Sequence, residues 1–119
     1  MHVHDCPAIA DKAVSACAGR GATAIAHDSA DARLVVFRLD AGDVVAKHTS
    51  TSTVILCVIG GTGIISGPVN GEVHDVTVGA GTVVTFEPNE LHGMSAPTGP
   101  FVLVATITPR PGTRASTAA

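Results

Sequence analysis

The sequence predicts an all-β fold, a small sandwich or barrel, and three observations carry that reading. Short segments rich in β-branched residues recur along most of the chain. Gly, Pro, Asn and Asp clusters separate them at near-regular intervals. No helical periodicity lies between them, which argues against a parallel α/β sheet.

The segments run in this order. Residues 1–21 form an N-terminal arm of different character: Ile9–Ala18 (IADKAVSACA) is Ala-rich and predicts about two helical turns, stopped by Gly19 and Gly21. Strands are then expected over Arg33–Leu39 (RLVVFRL), Thr53–Ile59 (TVILCVI), Glu72–Val78 (EVHDVTV), Thr82–Phe86 (TVVTF) and Phe101–Thr108 (FVLVATIT). Turns are expected at Ala41-Gly42-Asp43, Gly60-Gly61, Gly67-Pro68, Asn70-Gly71, Gly79-Ala80-Gly81 and Pro88-Asn89. Asn70-Gly71 is the sharpest of these, because both residues tolerate positive φ in a tight hairpin. One barrel over residues 22–109 is expected, followed by a flexible tail over 110–119 with no core material.

Composition limits the function. The chain has 119 residues, 45% of them hydrophobic and 14% charged, enough for one core and too few residues for two ordinary domains. With a net charge of −3, seven basic residues spread along the chain, no Trp or Tyr and three Phe, it has little with which to neutralise phosphates or stack on bases. Nucleic-acid binding is therefore not expected. No apolar run approaches the roughly 20 residues of a membrane helix, and no basic-then-apolar leader opens the sequence, so a soluble cytoplasmic protein is expected. Cys6, Cys17 and Cys57 are odd in number and lack a C-x-x-C pair, which fits reduced thiols. Cys57, inside an apolar strand pattern, reads as a buried small hydrophobe.

Two segments carry a shared layout. Gly42 is followed by His48, and the chain continues Gly42-x5-His48-Thr49-Ser50-x3-Val54-x6-Gly61. Later it reads Gly81-x5-Glu87-x-Asn89-x2-His92, with Ala96 four residues on. Together these resemble the two signature motifs of the cupin superfamily, G-x5-H-x-H-x3,4-E-x6-G and G-x5-P-x-G-x2-H-x3-N, over roughly residues 33–109. The resemblance implies a double-stranded β-helix, or jelly-roll barrel, of the small single-domain kind. It also implies a homodimer and an interior site for a divalent transition metal (Fe, Mn, Ni, Zn or Cu).

This chain departs from the family pattern in the first motif. His48 and His92 stand at two ligand positions, but Ser50 replaces the second His and Val54 replaces the Glu. A hydroxyl is a poor substitute for an imidazole, and Val cannot coordinate. His48 and His92 are thus the candidate metal ligands and the expected centre of a pocket. Ser50, Val54, Leu56, His74, Phe86 and Met94 are its candidate lining: Ser50 by phase with His48, Leu56 by phase with Val54, and His74 by phase with Val76 and Val78. The Thr49–Thr53 hydroxyl run reads either as a polar mouth or as a solvated loop. Glu87 and Glu90 read as rim, and His2, His4 and His27 as surface. The sequence contains no Ser-His-Asp arrangement, acid pair or phosphate-binding loop.

Three functions remain open. One is a small-molecule-binding barrel with little or no metal. Another is a metal-dependent enzyme of dioxygenase, isomerase or lyase class acting on a small organic substrate. The third is a scaffold without chemistry.

Overall fold

The structure, a computed structural model, describes residues 1–15 and 17–111. One short helix, α1 (Cys6–Lys12), precedes eight strands: β1 (Ala22–Asp28), β2 (Arg33–Leu39), β3 (Val44–His48), β4 (Thr53–Val69), β5 (Glu72–Gly79), β6 (Val83–Phe86), β7 (His92–Ser95) and β8 (Phe101–Thr108). All pairings are antiparallel. The strand order is β1-β2-β8-β4-β7-β3, with β5 and β6 also paired to β4.

β4 organises the barrel. Its first half pairs with β8 and β6, and its second half pairs with β5 and β7. The 17-residue strand therefore belongs to both walls. The turn expected at Gly60-Gly61 is instead a bend inside this strand, marked by a register shift between Val58 and Gly60. Glycine is required there: Gly61 has φ +71, and a Cβ on Gly63 would lie 2.3 Å from the Phe101 ring. Gly67-Pro68, also expected as a turn, continues the strand and pairs with His74 and Val73. The hairpin forms at Asn70-Gly71, where φ is 52 and 83.

The expected helix over Ile9–Ala18 is shifted towards the N-terminus. Asp5 caps its first turn by accepting from the Ala8 N–H at 3.1 Å. Ala13 turns to extended geometry, and Val14 bridges to Thr23 of β1, so tertiary pairing ends the helix before Gly19 does. Arg38 closes its C-terminal end, Nη1 donating to the Ala10 carbonyl at 2.5 Å. The helix packs against β1, β2 and β8.

The core lies between the walls, from Leu39, Val58, Phe101 and Leu103 to Val54, Leu56, Ile65, Phe86, Met94 and Ala105. Strands β2, β8 and β4 send alternate residues inward, as the pairs Phe37↔Leu103 and Val58↔Leu103 illustrate. Cys57 lies on the opposite side of β4 from this core and is half-buried, because the inward phase belongs to Val54, Leu56 and Val58. The expected tail lies outside the described residues from residue 112 onward. No helix among the described residues is long and apolar enough to cross a membrane.

Candidate ligand pocket

β3 and β7 set the two histidines side by side, His48 directly opposite His92 in the pairing. The register that does this is irregular. Val44 pairs with Ser95 and Val45 with Met94, but His48, not Lys47, pairs with His92. One extra residue is thus accommodated in β3 around Ala46 and Lys47. A bulge of this kind reverses the in–out alternation and turns His48 to the side that Val45 occupies. It lies against Gly93, whose missing Cβ would come within 3.0 Å of the Val45 carbonyl and 3.1 Å of the Lys47 side chain.

The two rings lie with centroids 4.4 Å apart and planes inclined by 60°. On its other side His92 stacks on Phe86, at 4.8 Å and 28°. Each ring is fixed by the same device: Nδ1 of His48 lies 2.9 Å from the Ala46 carbonyl, and Nδ1 of His92 lies 3.0 Å from the Glu90 carbonyl. A carbonyl can only accept, so in each ring the proton sits on Nδ1 and the neutral ring keeps a bare lone pair on Nε2. His92 is buried, at 7% exposure, whereas His48 is exposed. No fully buried side-chain nitrogen or oxygen among the described residues lacks a hydrogen-bond partner. His92 Nε2, which makes no such bond to protein, is therefore open to the adjoining cavity. Burial holds the His92 imidazole below its ordinary value of 6.5, and the neighbouring His48 acts in the same direction, against the hydrogen bond to Glu90.

That cavity has a volume of about 420 Å³. Its walls are Phe37, Val45, Val54, Leu56, Met94, Ala105 and Ile107, its polar groups are His48, His92, Thr49, Ser50 and Thr51, and Pro111 also lines it. The hydroxyl run is not a loose loop. The Asn89 N–H donates to the Ser50 carbonyl at 2.6 Å, and the buried Ser52 hydroxyl donates to the Pro109 carbonyl at 2.7 Å. The segment at Pro109 is thereby held beside the mouth, and Arg110 fastens it further through two hydrogen bonds to Asp28, at 2.7 and 3.1 Å.

Of the residues expected around the histidines, Ser50, Val54, Leu56 and Met94 line this cavity with them. Phe86 supports His92 from behind and lines a separate groove with His74, Val76 and Glu90. His74 is corrected accordingly. It shares the phase of Val78, but Val78 is buried while His74 is exposed and lies 3.7 Å from Glu72. Gly67, its partner on β4, has no side chain to cover it, and Phe86 fills that space. Phe37, Val45, Ala105, Ile107 and Pro111 are lining residues that the motif comparison does not single out. The inward phase of β2 and β8 carries the signal for Phe37, Ala105 and Ile107.

No family model matches the sequence, and no relative is found among curated proteins. Solved structures do resemble it. An RmlC-like cupin protein from Desulfovibrio desulfuricans superposes with a TM-score of 0.72 at 23% identity, covering 92% of this chain and 97% of that one. The fold is the cupin fold. An uncharacterised conserved protein with a double-stranded β-helix domain from Klebsiella pneumoniae gives the same TM-score and identity over 85% of this chain and 87% of its own. Oxalate decarboxylase from Lactobacillus farciminis, with a formate complex, reaches a TM-score of 0.72 at 17% identity, over 87% of this chain and 32% of that one.

The cupin resemblance implies a metal, and the donor set can be tested against it. Among the described residues no three His, Cys, Asp or Glu side chains are grouped as ligands. Ser50 and Val54 line the same cavity as the histidines, so the positions that would supply a nitrogen and a carboxylate supply a hydroxyl and a methyl surface. Two neutral imidazoles without a carboxylate do not fit a resident divalent transition metal.

Proposed function

We propose that this cupin barrel binds a small organic molecule in the cavity around His48 and His92. The observation that carries the reading is the imidazole pair itself. Two rings, each oriented by a backbone carbonyl through Nδ1, line a cavity of about 420 Å³ with largely aliphatic walls and keep Nε2 as an acceptor. Apolar walls with a few fixed polar groups are the usual composition of a small-ligand site. The rings need no metal to hold their orientation, because the backbone already does so.

The test is a ligand screen by NMR on the intact chain and on an Ala105→Leu variant. Ala105 is buried and lines the cavity, so the added side chain occupies ligand space and leaves both histidines in the sequence. Compounds that shift resonances of His48, His92 and Met94 in the parent and not in the variant support the reading. A screen in which no compound perturbs those residues counts against it.

The alternative, a metal-dependent enzyme acting on a small organic substrate, needs ligands from outside the protein. Elemental analysis of untagged protein prepared without chelator decides between the two. Near-stoichiometric metal that disappears in the His48→Ala, His92→Ala double variant would favour the enzyme. A homodimer belongs to the same proposal, on the resemblance to the cupin superfamily, and apolar side chains such as Ile25, Val69 and Val83 are about half exposed and available to pairing. A sedimentation mass of one chain at micromolar concentration would remove that part.

A further inference from the structure

Resting on the binding reading above, we infer that the cavity takes an uncharged, hydroxyl-bearing molecule with an apolar body, a phenol or compact alcohol, and discriminates against both anions and cations. Nδ1–H of both histidines is committed to a backbone carbonyl, at 2.9 and 3.0 Å. What remains on each of the two rings, whose centroids are 4.4 Å apart, is the Nε2 acceptor. Two acceptors side by side attract an O–H donor and repel a carboxylate or phosphate oxygen.

Charge balance points the same way. Among the described residues no Lys, Arg, Asp or Glu lines the cavity. Lys47, the residue before His48, lines a different groove with Ser66, Asp75 and Ser95. Glu90 lies with His74 in the groove on the far side of Phe86, where its Oε1 accepts from the Glu87 N–H at 2.7 Å. An anion entering the cavity thus finds no cation among the described lining residues to replace its lost hydration, and an ammonium finds no carboxylate there. A neutral molecule avoids both costs. Its ring or chain lies against Phe37, Leu56 and Ile107, and its hydroxyl donates to Nε2.

The hydroxyls at the mouth are consistent with this polarity. Ser50 Oγ accepts from the Ser52 N–H at 3.1 Å, which leaves its own hydrogen free to donate. The cavity therefore offers acceptors at the buried His92 and a donor nearer solvent, an arrangement suited to a molecule with a hydroxyl at one end and an acceptor at the other.

Three probes of one shape separate the possibilities in calorimetric titrations at pH 7.5. These are 2-naphthol, 2-methoxynaphthalene (the same body without the donor) and 2-naphthoate (the same body with a charge). The expected result is 2-naphthol binding at least tenfold more tightly than either of the others. His48→Ala and, separately, His92→Phe are expected to reduce the naphthol-to-ether ratio towards one while the ether still binds. His48 is exposed, so its variant tests the idea without loss of core. Naphthoate binding as tightly as naphthol, or a ratio unchanged in both variants, overturns the ligand class and leaves the binding cavity standing. If none of the three probes displaces the His92 and Met94 resonances, the cavity reading itself fails, and this inference with it.

Discussion

The two ends of the barrel interior share β2, β4 and β8 but differ in what those strands point inward, and β3, β7 and residues 49–51 complete the hollow end. At one end Leu39 pairs with Phe101 and Phe101 with Gly61, while Phe37 and Val58 both pair with Leu103. Phe101, Leu39, Leu103 and Val58 are among the largest fully buried side chains, and Gly63 of β4 makes room for the Phe101 ring. Two residues further along each strand the inward positions are Ala105 and Leu56, then Ile107 and Val54, and a cavity of about 420 Å³ takes the place of solid packing. Exchanging a Phe and a Leu for an Ala and an Ile along β8 thus separates a structural end from a binding end. Stability and ligand affinity should accordingly respond to different substitutions.

The packed end should give the largest response. Phe101→Ala empties a site with 0% exposure, and truncations of this kind cost about 3–5 kcal/mol. Urea unfolding should therefore show a much lower midpoint with little change in slope. A loss below about 1 kcal/mol would mean that the wall closes over the gap, and the distinction between the ends would dissolve.

At the hollow end the same operation should run in reverse. Ala105→Leu adds side chain where there is space, so stability is expected to stay level or rise by about 0.5–2 kcal/mol, as cavity-filling substitutions commonly do. Affinity for any ligand of the cavity should fall at least tenfold. Ala105→Leu destabilising the fold as severely as Phe101→Ala would show that this end, too, is close-packed in solution.

The third effect is smaller and depends on pH. His92 is buried with its pKa held below 6.5 mainly by desolvation. As pH falls below that ordinary value, the unfolded imidazole takes up its proton first, so the unfolded state binds more protons and gains stability. The contribution of His92 is full above about pH 6.5 and is lost as pH falls towards the folded value. His92→Phe, which keeps an aromatic ring against Phe86, should flatten the fall in urea midpoint between pH 7 and 5. Parallel curves for parent and variant would sink this assignment.

How much of this contrast was legible in the sequence follows from which interactions are local. Strand propensity and glycine turns gave β2, β5 and β8 to within a residue, because those segments alternate or run apolar between clear breakers. They missed β1, β3 and β7, whose sequences ATAIAHD, VVAKH and HGMS are unremarkable in composition and are strands because neighbours pair with them. β4 was cut short at Gly60-Gly61, since a bend that passes one strand between two walls carries the same residues as a turn. In the cavity, Ser50, Val54, Leu56 and Met94 could be placed by phase from two motifs, and His74 could not: its phase was right, but the groove above Gly67 leaves it at the surface. Phase alone also cannot find the irregular step in β3. Counted from Val45, strict alternation would face Lys47 inward, and only the pairing of His48 with His92 reveals the extra residue.

The smallest expected effect lies where the hollow end meets the segment around Arg110. Asp28 holds Arg110 at 2.7 Å and Arg33 at 3.3 Å, and these two guanidinium groups lower its carboxyl pKa to about 2. A carboxylate depressed in this way contributes stability that is present above its ordinary value of 3.8 and lost as pH falls through about 2. The clasp therefore stays charged throughout the range in which His92 titrates, and the two effects can be read separately. It is also solvent-exposed, where salt screens such pairs and their net contribution is slight. Arg110→Ala should leave the urea midpoint nearly unchanged while amide exchange at residues 108 and 110 quickens, and high salt should produce the same quickening in the parent. The Ser52 bond to the Pro109 carbonyl is independent of charge and should still hold the segment near the mouth, so ligand affinity should change less than about twofold. A tenfold change in affinity on Arg110→Ala would instead make the clasp a determinant of the cavity, and the boundary of the binding end would have to be redrawn to include it.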